Sequence, residues 1–409
     1  MNAHAVASAG DAWDIRSSRP VELICFGLCV ATAVYLLASL VLGHWLFDSD
    51  GRVIPTDFVN VWAAGRLVLE GRPEAAYDQA IHKAVEDASI GYAFEGYYGW
   101  LYPPPFLFVA ALLATMPLAA AQVLWSFLTF PAYVAAIRVI VGQRIGILLA
   151  CAFPAVLANF VVGQNGFFSA ALLGGALGCM QRRPVLAGCF LGLLTYKPHL
   201  GVLFPLVLIA GGRWRVFFAA AAVAILVSAM SWAAFGTSTW TAFVHSLPIG
   251  SQAILAEGQG DWHKLQSLFG IVRSLGGSEA LAWWLQSGVI GVIAILLCAL
   301  WRSRAAFDLK AAALATGALL ATPYLYMYDY VTLAVPMAFL VHAGLTAGFR
   351  RGDVIGFAAT SLLILIFPLL KAPIGPLAIL IIAVLIGRRI FYELRSSTVV
   401  EQSLRLSPS

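Results

Sequence analysis

Residues 23–47 read LICFGLCVATAVYLLASLVLGHWLF, a run of 25 residues without an acidic or basic side chain other than one histidine. A helix of about 20 apolar residues crosses the ~30 Å hydrocarbon layer of a bilayer, whereas the apolar core of a cleaved signal peptide has only about 7–15 residues. Arg16 and Arg19 precede the run. The segment is therefore predicted to remain as a first membrane helix, with the N-terminus in the cytoplasm.

The rest of the chain continues this composition. Of 409 residues, 61% are apolar and 11% are charged, whereas an average soluble domain has about 25% charged residues. The apolar runs leave room for about ten to twelve membrane helices and little else. We therefore expect an all-α polytopic bundle in contact with the lipid bilayer, with a single transmembrane domain over 21–392 between cytoplasmic tails at 1–20 and 393–409.

The basic residues form short clusters between apolar runs. These clusters are Arg182/Arg183, Arg213/Arg215, Arg302/Arg304/Lys310, Arg350/Arg351 and Arg388/Arg389. The positive-inside rule places them all in the cytoplasm, so the net charge of +5 reflects topology and does not indicate nucleic-acid binding. An even number of crossings follows, near twelve, with both termini cytoplasmic. This count needs an odd number of passes through 146–180, where Pro154 and Gly163 predict a broken or re-entrant helix.

Three polar segments then fall on the outer side: the loop 48–102, the loop 236–266 and the turn 322–329. Lys197 falls there too, between short helices predicted over 184–196 and 199–212; the alternative is a kink within a tilted pair of helices at this position. The first loop contains nine of the 20 acidic residues. Near-helical spacing after residue 57 and again around 75–88 predicts helices lying on the membrane surface.

Asp57 stands at the start of the first of these predicted surface helices. It is a candidate N-cap or first-turn carboxylate that stabilises the helix dipole. It is equally a candidate general base, because partial desolvation at a membrane surface raises the affinity of a carboxylate for a proton.

The run DFVNVWAAGRLVLEG at residues 57–71, with Tyr77-Asp78 after it, resembles the first-loop signature of glycosyltransferase family 87, bacterial membrane enzymes of the GT-C fold. The resemblance extends over roughly residues 50–340. It continues through LYPPPF at 101–106, GQN at 163–165, KP at 197–198 and RWR at 213–215.

This resemblance implies an enzyme that takes a hexose, usually mannose, from a polyprenyl phosphate carrier. The sugar would pass to a glycan or lipid acceptor on the outer face of the bacterial inner membrane. The family's first-loop acidic residue corresponds to Asp57, which would deprotonate the acceptor hydroxyl while the lipid phosphate leaves. No cofactor is expected, because the donor is already activated, and a requirement for a divalent metal stays open.

A phosphate leaving group needs a cation or hydrogen-bond donors nearby. Lys197 with His199 is a basic pair within an otherwise apolar stretch, and it is the predicted phosphate-binding pair. The alternative is a lysine that extends its side chain to the lipid head groups.

Candidate sugar- or acceptor-binding residues come from four segments of the chain. They are Tyr102, Gln164, Asn165, His263, Lys264, Tyr328 and Asp329. Gln164 and Asn165 can instead satisfy backbone groups of a broken helix, the 236–266 residues can be ordinary loop residues, and tyrosines at 324–330 are typical of an aromatic belt. In the 322–330 turn the sequence departs from the family, which often has histidines there.

Asp48-Ser49-Asp50 matches the DxD metal motif of soluble sugar transferases, but its place at a helix end disfavours a metal site. Neither a phosphate-binding GxxxxGK[ST] nor an HExxH motif occurs. Two alternatives stay open: a transporter or lipid flippase, which should show related halves and ionisable residues near the bilayer midplane, and a catalytically inactive GT-C-like protein. The sequence shows neither a repeat nor a charge pair within a helix.

Overall fold

The computed structural model describes residues 19–258, 261–370 and 372–406, and within these ranges the regular structure is entirely helical. The α-helices are α1 (Arg19–Val41), α2 (Phe58–Leu69), α3 (Gln79–Ile90), α4 (Leu107–Leu113), α5 (Leu118–Val141), α6 (Ile145–Cys151), α7 (Ala155–Val162), α8 (Gly166–Cys179), α9 (Pro184–Leu193), α10 (Pro198–Gly201), α11 (Phe204–Ala210), α12 (Trp214–Ser251), α13 (Leu268–Ser274), α14 (Glu279–Arg302), α15 (Phe307–Ala321), α16 (Ala334–Ala347), α17 (Asp353–Leu370) and α18 (Gly375–Leu406). Short 3₁₀ turns lie at Pro73–Tyr77, Pro104–Phe106, Leu194–Tyr196, Trp262–Lys264 and Met327–Leu333, and a π-helix at Gln252–Ala256.

Among the described residues, five helices are long and apolar enough to cross a bilayer. They are α1, α5, α12 with its extension to Ala256, α14, and the continuous stretch Met327–Ala347. The predicted all-α polytopic bundle is confirmed. The predicted ten to twelve crossings stay a prediction, because the remaining apolar helices are shorter and would have to cross in combination.

The apolar run at 146–180 is interrupted, as a broken or re-entrant helix requires. α6 and α7 are bent by 55° relative to each other, and Pro154 stands at the break. α7 ends at Gly163, which has φ +68°, a left-handed conformation that glycine adopts without steric cost. The chain restarts as α8 at Gly166, so residues 163–165 form a non-helical turn inside the bundle.

The two predicted helices of the 48–102 loop are present as α2 and α3. Eight of the twelve α2 residues are buried, so α2 is packed more deeply than a helix resting on the membrane surface. Gly65 allows α2 to pack closely against α4, because a Cβ at this position would lie 2.0 Å from the carbonyl oxygen of Ala110 in α4. The loop is therefore part of the protein core and holds the start of α2 in a fixed position.

The predicted loop over 236–266 is wrong for residues 237–256, which are helical. Gly236 has φ 79° and ψ 173° and kinks α12 without ending it. The threonines after the kink do not compete with the helix, because Thr239 and Thr241 donate to carbonyls one turn earlier. Residues 259–260 lie outside the described part of the chain.

The basic clusters at residues 302–310, 350–351 and 388–389 gather at one end of the bundle. Arg388 donates to the carbonyl of Arg351, and Glu393 accepts from the amide of Ala306. From this end α15 rises for 15 residues, about 20 Å at 1.5 Å per residue, to the turn at 322–329. The predicted cytoplasmic clusters and the predicted outer turn therefore lie at opposite ends of one helix.

The predicted tails are only partly described. Residues 1–18 lie outside the described part of the chain, and α18 continues through the predicted boundary at 392 to Leu406. Arg389, predicted to lie in a short basic cluster between apolar runs, lies inside the continuous helix α18 and is buried in an ion pair with Asp353.

Candidate active site

Asp57 occupies the N-cap position of α2, yet its carboxylate makes no capping hydrogen bond. Its Oδ2 instead accepts a hydrogen bond from Nε2 of Gln164 at 3.2 Å, across 107 residues of sequence. The capping hydrogen bond considered for Asp57 is therefore absent, because the carboxylate faces the 163–165 turn and not the α2 amides.

Gln164 connects three parts of the site. Its Oε1 accepts from the hydroxyl of Tyr102 at 3.2 Å and from the backbone amide of Asn165 at 3.3 Å. Its Nε2 donates to Asp57. Gln164 thus satisfies an amide at the start of α8, as one alternative predicted, and also joins a tyrosine to the candidate base.

The backbone around Gly163 brings Gln164 against Asp57. A Cβ at Gly163 would lie 2.8 Å from both Cδ of Gln122 and Cβ of Phe58, so only glycine fits between α5 and α2. Thr56, next to Asp57, donates to Oε1 of the same Gln122 at 2.8 Å. Two independent contacts therefore fix the segment before α2 against the bundle.

The environment raises the pKa of Asp57 to about 6. Desolvation of this half-buried residue is the largest cause, because burial penalises the charged form of the carboxylate. The hydrogen bond from Gln164 and the positive charges of Lys264 and Lys197 act in the opposite direction. A carboxylate with this pKa is ionised at neutral pH and still a stronger base than an ordinary aspartate.

Lys197 and Asp329 form a buried ion pair. Nζ of Lys197 donates to Oδ1 of Asp329 at 2.7 Å, and their side chains are 5% and 1% exposed. The head-group alternative for Lys197 is therefore wrong, because the ammonium is turned into the protein. The sequence showed no charge pair within a helix, and this pair instead joins two helix breaks: Lys197 lies before α10 and Asp329 in the 327–333 turn.

Aromatic residues connect the ion pair to the Asp57 side of the site. Nζ of Lys197 lies 5.0 Å from the ring centre of Tyr328. Tyr196, which the sequence analysis did not single out, stacks on Tyr102 at 6.1 Å between ring centres and donates to the carbonyl of Asn165 at 3.2 Å. The predicted residues Asp57, Tyr102, Gln164, Lys197, Tyr328 and Asp329 thus form one continuous cluster.

Two predicted residues present polar atoms that lack partners among the described residues. Both side-chain heteroatoms of Asn165 are buried beside Tyr102 without a hydrogen bond of acceptable geometry, and Nε2 of His199 is likewise buried and unpaired. A buried polar group without a hydrogen-bond partner costs folding free energy, and such groups commonly bind an ordered water or a ligand. Both residues can therefore bind a polar ligand without first breaking an internal bond.

The residues predicted from the 236–266 segment lie at the rim. Lys264 is exposed and pairs with Asp261 at 3.5 Å, yet it is close enough to lower the pKa of Asp57. His263 contacts the site framework through its carbonyl, which accepts from Nε2 of Gln266 at 2.6 Å. Gln266 in turn accepts from the amide of Gly375 and the hydroxyl of Tyr330, which links this segment to α18 and the 327–333 turn.

Asn159 is a further site residue that the sequence did not reveal. Its Nδ2 donates to the carbonyl of Tyr328 at 2.8 Å. Glycine at position 166 permits this contact, because a Cβ there would lie 2.3 Å from Oδ1 of Asn159 and 2.3 Å from the carbonyl oxygen of Tyr328. An asparagine inside the apolar run of α7 could have indicated a polar contact at this position. The sequence did not show that the partner lies in a turn 169 residues away.

No group of three or more metal-ligating side chains occurs among the described residues. In the DxD motif, Oδ1 of Asp48 accepts from the amides of Asp50 and Arg52, so this carboxylate closes a local turn. The structure thus gives Asp48 a turn-stabilising contact.

The fold and the site define a multi-pass helical membrane protein with one polar cluster formed at its helix breaks. The sequence model of glycosyltransferase family 87 matches residues 100–323, more than half of the chain. The chain belongs to this family and is a membrane glycosyltransferase. The match includes Tyr102, the 163–165 turn and Lys197, while Asp57 and Asp329 lie outside it. No curated protein and no solved structure matches the chain.

Proposed function

We propose that the chain transfers a hexose, most simply mannose, from a polyprenyl phosphate carrier to a glycan or lipid acceptor, with Asp57 as general base. The observation that carries this proposal is the Asp57 carboxylate itself. It is turned away from its helix, held by Gln164 at 3.2 Å and given a pKa of about 6. This state suits removal of a proton from an acceptor hydroxyl as the hydroxyl attacks the anomeric carbon.

The arrangement distinguishes Asp57 from the other carboxylate of the cluster. Asp329 is already engaged, since Oδ1 accepts from Lys197 and Oδ2 from the amide of Tyr326. A base must be able to accept a proton from a substrate, and Asp57 is the group whose environment favours this. Asp329 serves instead to hold Lys197.

The donor phosphate is proposed to bind near Lys197 and His199. Lys197 is neutralised by Asp329, so its contribution is a short-range donor and a local dipole. His199 offers a buried, unpaired Nε2, which can donate to a phosphate oxygen in the tautomer with a proton on that nitrogen. Together they hold the charge that develops as the phosphate leaves.

Sugar and acceptor hydroxyls are proposed to bind the polar groups around these two centres. Asn165 has a buried donor and a buried acceptor beside Tyr102 without a hydrogen bond of acceptable geometry, and Tyr328 provides an aromatic face next to Lys197. His263 and Lys264 approach from the rim, where Lys264 adds positive charge near Asp57. No resident cofactor takes part in this proposal, and a chelator tests whether a divalent metal is needed.

Reaction on the outer face of a bacterial inner membrane is proposed from the two ends of the bundle. The turn at 322–329 lies about 20 Å along α15 from the basic clusters, which the positive-inside rule assigns to the cytoplasm. Both termini would then be cytoplasmic. Family membership favours this transferase over the transporter or flippase alternative.

The test is sugar transfer by purified protein in nanodiscs, with polyprenyl-phosphate mannose and then its glucose analogue as donors and a membrane lipid extract as the acceptor pool. Asp57→Asn keeps the shape of the side chain and removes the base, so transfer is expected to fall by about 10²–10⁴-fold. Asp48→Asn is the matched control, because its Oδ1 can still close the local turn.

Loss of transfer in Asp57→Asn, with unchanged thermal stability and an active Asp48→Asn, supports Asp57 as the base. Wild-type turnover in Asp57→Asn refutes that assignment. A folded wild-type protein that uses neither donor refutes the proposed carrier-linked hexoses, and thermal stabilisation by other carrier-linked sugars then identifies the donor.

A further inference from the structure

His82 and Glu86 form a buried pair that the site described above does not use. They lie four residues apart in α3, and both side chains are 0% exposed. Nδ1 of His82 lies 3.5 Å from Oε1 of Glu86, and neither atom has a hydrogen-bond partner among the described residues. Burying two ionisable side chains away from solvent is costly unless their donors and acceptors are hydrogen-bonded, so the position of each proton matters.

The neighbouring contacts determine where the protons are. Nε2 of His82 lies 3.1 Å from the carbonyl oxygen of Asn60, which can only accept, so Nε2 carries a hydrogen. In a neutral ring Nδ1 is then an acceptor and faces a carboxylate oxygen. Oε2 of Glu86 accepts from the amide of Tyr98 at 3.4 Å, which leaves Oε1 to face Nδ1. Two buried acceptors cannot face each other without cost, so one proton must lie between them.

We propose that His82 and Glu86 are positioning residues for Asp57, and that one proton shared between Nδ1 and Oε1 keeps the pair neutral. The pair joins three elements. His82 holds the carbonyl of Asn60 in the first turn of α2, Glu86 holds the amide of Tyr98, and Nδ2 of Asn60 donates to the carbonyl of Gly99 at 3.5 Å. The start of α2, which follows Asp57, is thereby tied to the segment that leads to Tyr102.

The surrounding charges agree with a proton on Glu86. Burial is the main cause that raises the pKa of Glu86 to about 8, and it lowers the pKa of His82 to about 4. Lys83 acts to lower the pKa of Glu86, while Asp87 and Asp57 raise it. The remaining titratable neighbours are Tyr97, whose ring packs edge-on against His82, and Tyr98. An ionised Glu86 beside a neutral His82 would therefore place a second negative charge near Asp57 and leave two buried acceptors facing each other.

The shared proton is tested first by the pH dependence of thermal unfolding, which needs no substrate. Because folding raises the pKa of Glu86 from near 4.5 to about 8, folded Glu86 binds more protons than unfolded Glu86 in that window, and its contribution to stability is lost as the pH rises through it. His82 contributes equally to wild type and to a variant changed only at Glu86, so the difference between the two proteins isolates Glu86. Glu86→Gln donates to Nδ1 permanently and cannot ionise. Its Tm is expected to rise relative to wild type between about pH 5 and 8, and a constant difference overturns the shared proton.

The positioning role is tested by comparing Glu86→Gln with Glu86→Leu. The glutamine can make both native hydrogen bonds, so transfer at pH 7 should stay within about twofold of wild type and should lose less activity than wild type above about pH 8. The leucine leaves His82 and the Tyr98 amide without partners, and transfer should fall by about tenfold or more. Glu70→Gln, which removes the carboxylate of the exposed Arg66–Glu70 pair at the C-terminal end of α2, is the matched control. Wild-type transfer by Glu86→Leu, or equal loss in both Glu86 variants, overturns the positioning role.

This inference rests on the proposed transfer reaction, but its failure can be told apart from failure of that reaction. A wild-type protein without transfer counts against the proposed function alone, and amide hydrogen exchange of residues 57–61 then reports the positioning. Glu86→Leu should accelerate exchange in this first turn of α2, while Glu86→Gln should not. Equal exchange in wild type and Glu86→Leu overturns the proposal.

Discussion

The Lys197–Asp329 pair makes a quantitative prediction, because both charges are almost completely buried. Nζ and Oδ1 are 2.7 Å apart and the side chains are 5% and 1% exposed, so solvent screens the interaction little. Removing one partner leaves an uncompensated charge inside the protein, which costs about 3–5 kcal/mol. We therefore expect Lys197→Met and Asp329→Asn each to destabilise the protein strongly.

The double variant Lys197→Met with Asp329→Asn should be far more stable than the sum of the two changes predicts. It buries no charge, and the asparagine oxygen can still accept from the amide of Tyr326, as Oδ2 of Asp329 does now. We expect a total loss below about 2 kcal/mol. In apparent Tm the single variants should fall by roughly 5–10 °C and the double variant by only a few degrees.

Thermal unfolding of the four proteins in one detergent measures this cycle. Additive losses in the double variant would refute the conclusion that the two residues interact as a buried ion pair. The double variant also allows the effect on donor binding to be measured apart from the effect on stability. It lacks the Lys197 ammonium and is expected to remain folded. Its KM for the lipid donor should rise while its KM for the acceptor stays the same, and an unchanged donor KM would remove Lys197 from the phosphate site.

Two further predictions use groups around Asp57. Asp57 acts in its ionised form and its pKa is raised to about 6, so kcat/KM should fall about tenfold per pH unit below that value and should be constant between it and about pH 8. A pH–rate profile without this acidic limb would contradict the base assignment. Gly163→Ala should lower the free energy of unfolding by about 2–4 kcal/mol, because alanine is strained in the left-handed backbone conformation and its Cβ would lie 2.8 Å from Gln122 and Phe58. The control is Gly51→Ala, where φ is +76° and the Cβ meets open space, so that only the backbone strain of about 1–2 kcal/mol should appear in thermal unfolding.

Helix breaks were predictable from local sequence. Pro154 and Gly163 indicated the interruption at 146–180, because proline removes an amide and glycine alone adopts φ +68° easily. The short helices around Lys197 were predicted for the same reason, and the structure has helix breaks at both places. The segment after Gly236 was mispredicted as a loop, since its threonines satisfy their hydroxyls within the helix.

Pairings across long sequence separations were not predictable. Lys197 and Asp329 are 132 residues apart, and only packing shows that the lysine faces inward and not toward the head groups. His82 and Glu86 are a different case, because their i,i+4 spacing was visible in a predicted helix. Their burial was not, since a stretch rich in polar residues is typical of a solvated surface.

The short helices around the site also constrain how the protein is assembled. α7, α8, α9, α10 and α11 have at most 14 residues each, about 20 Å of helix against a hydrocarbon layer of ~30 Å. None of them can partition from the translocon into lipid as an independent stable span, so they must settle against long helices such as α5. The active-site cluster is complete only once Asp329 has been synthesised and has reached Lys197. Catalytic competence is therefore acquired late in biogenesis, after most of the chain has entered the membrane.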